Sequence, residues 1–176
     1  FLGKHLGLTL REEEAAGLAG AFDLLAAEAL RQPRVFVHRD YHSRNLMVCD
    51  GGRQGENPGI LDFQDAVFGP VTYDLVSLPR DCYIAWPRER VVGWARRFRS
   101  DAQASGVAVG ADEGEFLRWF DWMGVQRHLK AIGIFARLWH RDGKPGYLRD
   151  IPRTLEYVRA VCVEHRELQA LRGLID

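Results

Sequence analysis

The feature that most restricts this chain is a polar octet, H-R-D-Y-H-S-R-N at positions 38–45, set between the apolar triplets V-F-V (35–37) and L-M-V (46–48). Short β-branched and aromatic runs of this kind read as strands, and the polar insert between them as a loop. The ten residues that follow, C-D-G-G-R-Q-G-E-N-P, are turn formers, and G-I-L-D-F comes next. The order is strand, loop, strand, turn, strand, with Leu46–Val48 and Gly59–Leu61 expected to pair as a hairpin. Such a hairpin would hold the polar residues at its ends on a rigid base.

The remainder reads as helix. Thr9 and Glu12 have the spacing of a capping box, and Leu18, Phe22, Leu25 and Ala29 then recur at helical intervals up to about Arg31, before Pro33. Further helices are expected over about 72–84, 87–104 with Pro87 in the first turn, 112–140 and 152–172. Asp112 and Glu115 repeat the capping pattern ahead of Phe116, Phe120 and Met123. The last helix carries Leu155, Val158, Cys162, His165, Leu168 and Leu171 on one side. The expected class is α+β, mainly α, with the small hairpin near its front.

At 176 residues and 47% hydrophobic content, the chain can bury a real core. Its 24 basic and 24 acidic residues balance, which leaves no global charge for a nucleic-acid or membrane surface. Cys49, Cys82 and Cys162 are odd in number and scattered, which excludes a disulfide framework or a cysteine zinc site and points to a reducing cytoplasm. No apolar run approaches the roughly 20 residues of a membrane helix.

Asp40 and Asn45 stand at the two ends of the octet loop, and Asp62 at the exit of the hairpin. Magnesium takes oxygen ligands from few protein groups, with phosphates and water filling the rest, and Asn45 and Asp62 suit that role. A nearby carboxylate not needed by the metal can accept the proton of an attacking hydroxyl, and Asp40 is assigned that task.

These residues carry a resemblance. H-R-D-Y-H-S-R-N is similar to the H-x-D-x-x-x-x-N catalytic loop of the aminoglycoside phosphotransferase and choline kinase superfamily. L-D-F-Q-D-A (61–66) resembles its metal-binding segment, and G-P-V-T-Y-D-L (69–75) the stretch leading into its next helix. Within that superfamily these stretches, with Q-R-H-L-K and R-D-G-K-P further on, are similar to the bacterial cell-wall amino-sugar kinases. Those kinases phosphorylate the anomeric hydroxyl of N-acetylmuramate or N-acetylglucosamine during peptidoglycan recycling. The resemblance implies the C-terminal lobe of a protein-kinase-like fold over residues 1–176, with ATP and Mg2+ as cofactors. It also implies a small amino-sugar acceptor and no nucleic-acid or membrane partner.

His38 then resembles a buried histidine bracing the loop, and Asp74 the helix-start aspartate that accepts N–H bonds from it. Asp65 is left between a role near the metal and a surface ion pair. The chain has no glycine-rich phosphate loop and no V-A-I-K-like strand, and Lys4, Lys130 and Lys144 are its only lysines. It is therefore expected to lack the nucleotide-clamping lobe and to be inactive alone.

Only twelve positions separate Asp62 from Asp74, too few for a peptide-seating activation segment, so the acceptor is expected to be small. Arg127, Lys130 and Arg137 share a helix face that could meet an anionic acceptor or simply be solvated. Gln126, Arg127 and His128 are assigned to acceptor binding on the resemblance. Tyr83, Trp86, Trp119 and Trp122 could stack on a sugar or belong to the core. Two other readings stay open: an aminoglycoside or choline kinase of the same superfamily, and a pseudokinase that only binds.

Overall fold

A computed structural model describes residues 1–49 and 57–176. Residues 50–56, most of the turn expected over 49–58, lie outside the described residues. The chain divides into two compact units, Gln32–Phe120 and the pair of segments Phe1–Arg31 and Asp121–Asp176.

The first unit contains the strands. β1 (Arg34–Val37) pairs antiparallel with β4 (Val67–Pro70), with Val37 opposite Val67 and Arg34 opposite Pro70. β2 (Leu46–Met47) pairs antiparallel with β3 (Gly59–Ile60) in the expected hairpin. β4 escapes sequence reading because V-F-G-P holds only two strand formers before a glycine and a proline, which are depleted in strands. Pro70 is tolerated because it closes an edge strand, and Arg34 donates to the Phe68 carbonyl at 2.8 Å across the pair.

α2 (Tyr73–Ser77) is far shorter than the helix expected over 72–84. Pro79 accounts for the difference: Leu78 keeps helical backbone, but the proline has no N–H to continue the hydrogen-bond ladder, and the helix ends at Ser77. α2 is anchored at its start, where the buried Thr72 hydroxyl donates to Gln32 Oε1 at 2.7 Å. α3 (Arg88–Ala104) begins directly after Pro87. Gly110 has a positive φ of 83°, and a Cβ there would fall 2.7 Å from the Trp119 ring, so only glycine fits.

α4 (Glu113–Asp142) starts in this unit, where Phe116, Trp119 and Phe120 bury themselves with Val76, Val91 and Ala95.

The second unit holds α1 (Glu12–Arg31), the rest of α4, α5 (Ile151–Glu164) and α6 (Gln169–Ile175). α1 begins two residues later than a Thr9 cap requires. The Glu14 carboxylate instead accepts the Arg11 N–H at 2.8 Å, which makes Arg11 the cap. Its buried stripe is Ala21, Leu25 and Glu28, while Phe22, expected to face inward, is 49% exposed.

The core joins Ala21 and Leu25 to Trp122, Val125, Val158, Cys162, Leu168 and Leu171. α1 and α6 approach so closely that a Cβ on Gly17 would lie 3.0 Å from that of Ala170. The single helix expected over 152–172 breaks at His165, whose backbone is extended and whose ring lies 3.7 Å from the Asp121 carboxylate. Among the described residues, no helix is long and apolar enough to cross a membrane.

Candidate active site

β1 delivers the chain into the polar loop, and Asp74, in the first turn of α2, fastens that loop from below. Its carboxylate accepts the His38 N–H at 2.6 Å and the Arg39 N–H at 3.0 Å, one on each oxygen. Arg39 has φ of 78°, and Asp62 has φ of 67°. Among the described residues these are the two non-glycine positions in the left-handed region, which costs on the order of 1–3 kcal/mol each and persists only where neighbours hold it. The Asp74 carboxylate is such a neighbour for Arg39. The Arg39 guanidinium in turn donates to the Asp65 carbonyl at 3.2 Å, tying the loop to the segment after Asp62.

The His38 ring is buried, lies edge-on to Tyr41 with centroids 5.9 Å apart, and has no hydrogen-bond partner at either nitrogen among the described residues.

The far end of the loop is a single 3-10 turn, Ser43–Asn45, running straight into β2. The Asn45 amide Nδ2 donates to the Asp40 carbonyl at 2.9 Å and lies 3.5 Å from Asp62 Oδ2. The Leu61 N–H donates to the Asn45 carbonyl at 3.0 Å, so the hairpin brings Asp62 beside Asn45. Asp40, Asn45 and Asp62 are thus gathered from two ends of a loop and from a following hairpin.

Their oxygens differ in engagement. The Asp40 carboxylate makes no hydrogen bond among the described residues, while its carbonyl accepts from both the His42 N–H and the Asn45 amide. Asn45 commits its amide nitrogen, which leaves its Oδ1 as an acceptor. The Asp62 carboxylate is exposed and takes one bond from Gln64 Nε2. Two hard oxygen donors side by side, with a third carboxylate one loop away, match what a magnesium ion and a hydroxyl nucleophile each need.

Beside the loop an apolar groove of ≈520 Å³ is lined by Val35, Val37, His38, Ile60 and Phe63, among others. The exposed rings of Phe36, Phe63 and Phe68 lie in the same unit.

Gln126, Arg127 and His128 lie on the part of α4 that belongs to the second unit. His128 is buried and stacks on Tyr157 of α5 with centroids 4.8 Å apart. Gln126 faces a groove formed with Phe22, Leu25 and Leu30 of α1. Trp119 and Trp122 are 4% and 1% exposed, which makes them core residues. Trp86 lies edge-on to Trp94.

Sequence reading passed over Asp81, which is 6% exposed, and Arg44. Ser43 Oγ donates to Asp81 Oδ2 at 3.2 Å, and the Tyr83 N–H donates to Asp81 Oδ1 at 3.3 Å. The Arg44 guanidinium sits 3.5 Å above the Tyr83 ring. Arg44 was visible within the octet. Nothing in the local sequence marks Asp81.

Residues 3–111 match the family described as phosphotransferase enzyme family. The chain is 50% identical over 175 residues to an N-acetylmuramate/N-acetylglucosamine kinase of Pseudomonas putida, an alignment covering 99% of this chain and 50% of that protein. Proteins with the same name in Pseudomonas aeruginosa and Neisseria meningitidis serogroup B are 48% and 47% identical. Each alignment covers 99% of this chain, and 50% and 51% of those proteins respectively. The chain spans about half the length of the curated relatives it matches.

Proposed function

Because the chain belongs to the phosphotransferase enzyme family, we propose that it carries the acceptor-activating and metal-holding half of an ATP-dependent sugar kinase, within a lobe of kinase-like fold. The acceptor is N-acetylmuramate or N-acetylglucosamine, and the atom phosphorylated is the oxygen of the anomeric hydroxyl. Relatives about half identical to nearly all of this chain carry these two sugars in their names, which supports this acceptor.

The observation that carries the reaction type is the division of labour among three side chains. Asp40 presents a carboxylate that no described group occupies, on a loop whose backbone is held by Asp74 and by the Asn45 amide. In phosphoryl transfer the protein mainly positions and stabilises, so a fixed carboxylate that aims the hydroxyl and takes its proton is the main service required. Asn45 Oδ1 and the Asp62 carboxylate are the donors that would hold magnesium, which when bound neutralises charge on the transferring phosphate. The bond between the Asn45 amide and the Asp40 carbonyl keeps the metal ligand and the base in register, so that neither drifts without the other.

The test is phosphate transfer from ATP by the full-length protein to a panel of amino sugars, aminoglycosides and choline, before and after Asp40→Asn. The expected result is transfer to the two N-acetyl amino sugars, and a loss of about 10²- to 10⁴-fold in kcat for the variant with ATP binding retained. Undiminished turnover by the variant would remove Asp40 from the role of base.

A further inference from the structure

We propose that Arg44, laid flat on Tyr83, receives the carboxylate of an anionic acceptor and so sets the preference between acidic and neutral sugars; this rests on the sugar-kinase reading above.

Arg44 sits within the one-turn helix Ser43–Asn45, directly before the proposed metal ligand and on the same loop as Asp40. Its guanidinium carbon lies 3.5 Å from the centroid of the Tyr83 ring. The side chain is exposed, and among the described residues it has no carboxylate partner. Arg11, Arg31, Arg96, Arg141, Arg159 and Arg172 lie against aspartate or glutamate, whereas Arg44, like Arg34 and Arg90, lies over an aromatic ring, and of these three it is the one on the loop of Asp40 and Asn45.

A guanidinium stacked by its face keeps its N–H donors pointing outward in the ring plane. Those donors form the planar fork that pairs with both oxygens of a carboxylate. Stacking also fixes a long side chain beforehand, which lowers the ordering cost of binding.

The platform is built as well as the arginine. Asp81 is nearly fully buried and grips both parts, taking the Ser43 hydroxyl from the loop and the Tyr83 N–H from the segment after α2. His42 packs edge-on against the same Tyr83 ring, with centroids 6.4 Å apart. Asp81 is therefore a positioning residue that holds the arginine's support against the catalytic loop.

The two sugars supply the experiment. N-acetylmuramate carries a lactyl carboxylate that N-acetylglucosamine lacks, and the two are otherwise alike around the anomeric centre. Full-length wild type, Arg44→Gln and Arg44→Lys are compared by kcat/KM on both sugars, with thermal unfolding of each variant as the check on folding. Arg44→Gln is expected to lower the ratio of kcat/KM for N-acetylmuramate over N-acetylglucosamine by about tenfold, the scale of one lost charge-assisted contact. Arg44→Lys, which keeps charge but not the fork, is expected to fall between. An unchanged ratio, or parallel loss on both sugars, would overturn the inference and leave Arg44 as a loop brace. Wild-type protein that phosphorylates neither sugar would overturn the sugar-kinase reading, and this inference with it.

Discussion

Asp74 shows how much of a loop's geometry can depend on one carboxylate. Its two oxygens satisfy consecutive N–H groups at His38 and Arg39, and the second of these residues is in the left-handed region. Removing the carboxylate leaves two partly buried donors without partners and releases a conformation that a non-glycine residue does not hold by preference. Asp74→Ala is expected to cost about 1–3 kcal/mol in denaturant unfolding, since bonds to a charged acceptor are the stronger kind. A loss below a few tenths would mean that the loop is held by something else. The residue types at Asp40, Asn45, Asp62 and Asp74 were legible because their spacing resembles a known loop. The positive φ of Arg39 and Asp62 was not: arginine does not signal it, and aspartate, though enriched there, adopts it too seldom to mark the position. Nor was the reach of Asp81 to Ser43, a contact made across 38 positions of sequence.

At the scale of elements, local chemistry decides some features that sequence reading finds and some that it misses, and distant partners decide others. The hairpin of β2 and β3 and the start of α4 were both local. Asp112 Oδ1 accepts the Glu115 N–H at 2.9 Å, and Glu115 Oε2 reaches back to the Ala111 N–H at 3.0 Å, so the expected capping pair forms with its return bond displaced by one residue. Asp112→Ala is expected to destabilise the protein by about 1 kcal/mol, with Asp112→Asn recovering most of it, because the cap needs an acceptor and not a charge. Equal losses for both variants in thermal unfolding would show that charge at the helix start matters more than the bond. α1 went the other way: Thr9 offered a better capping side chain than Arg11, but Glu14 binds Arg11 through both its N–H and its guanidinium. Those bonds hold the Glu14 carboxyl below its usual range. β4 and the break between α5 and α6 depend on β1 and on Asp121, which no window of local sequence contains.

For the molecule as a whole, each unit leaves some large apolar side chains exposed, Phe36, Phe63 and Phe68 in the strand-bearing unit and Phe22 and Leu30 in the second, but the second also closes a buried cluster around Cys162. Cys162 is 0% exposed, and burial pushes its thiol up to about 11 from an ordinary value of 9.0. A raised value means that folding favours the neutral thiol: the stabilisation is present below pH 9 and is lost as the pH climbs through about 11. At neutral pH the native thiol is therefore both unionised and out of reach, and nucleophilic labelling requires the thiolate. Cys162 should react with an alkylating reagent only when the second unit opens, so its labelling rate reports that opening. Leu168→Ala removes a fully buried neighbour from the same cluster and is expected to cost about 2–5 kcal/mol. In rapid opening and closing, each 1.4 kcal/mol raises the population of the open form about tenfold. Mass spectrometry of Cys162 labelling in native buffer should then show an acceleration of at least about 25-fold. Labelling at the wild-type rate would mean that Leu168 does not hold this core shut around the thiol.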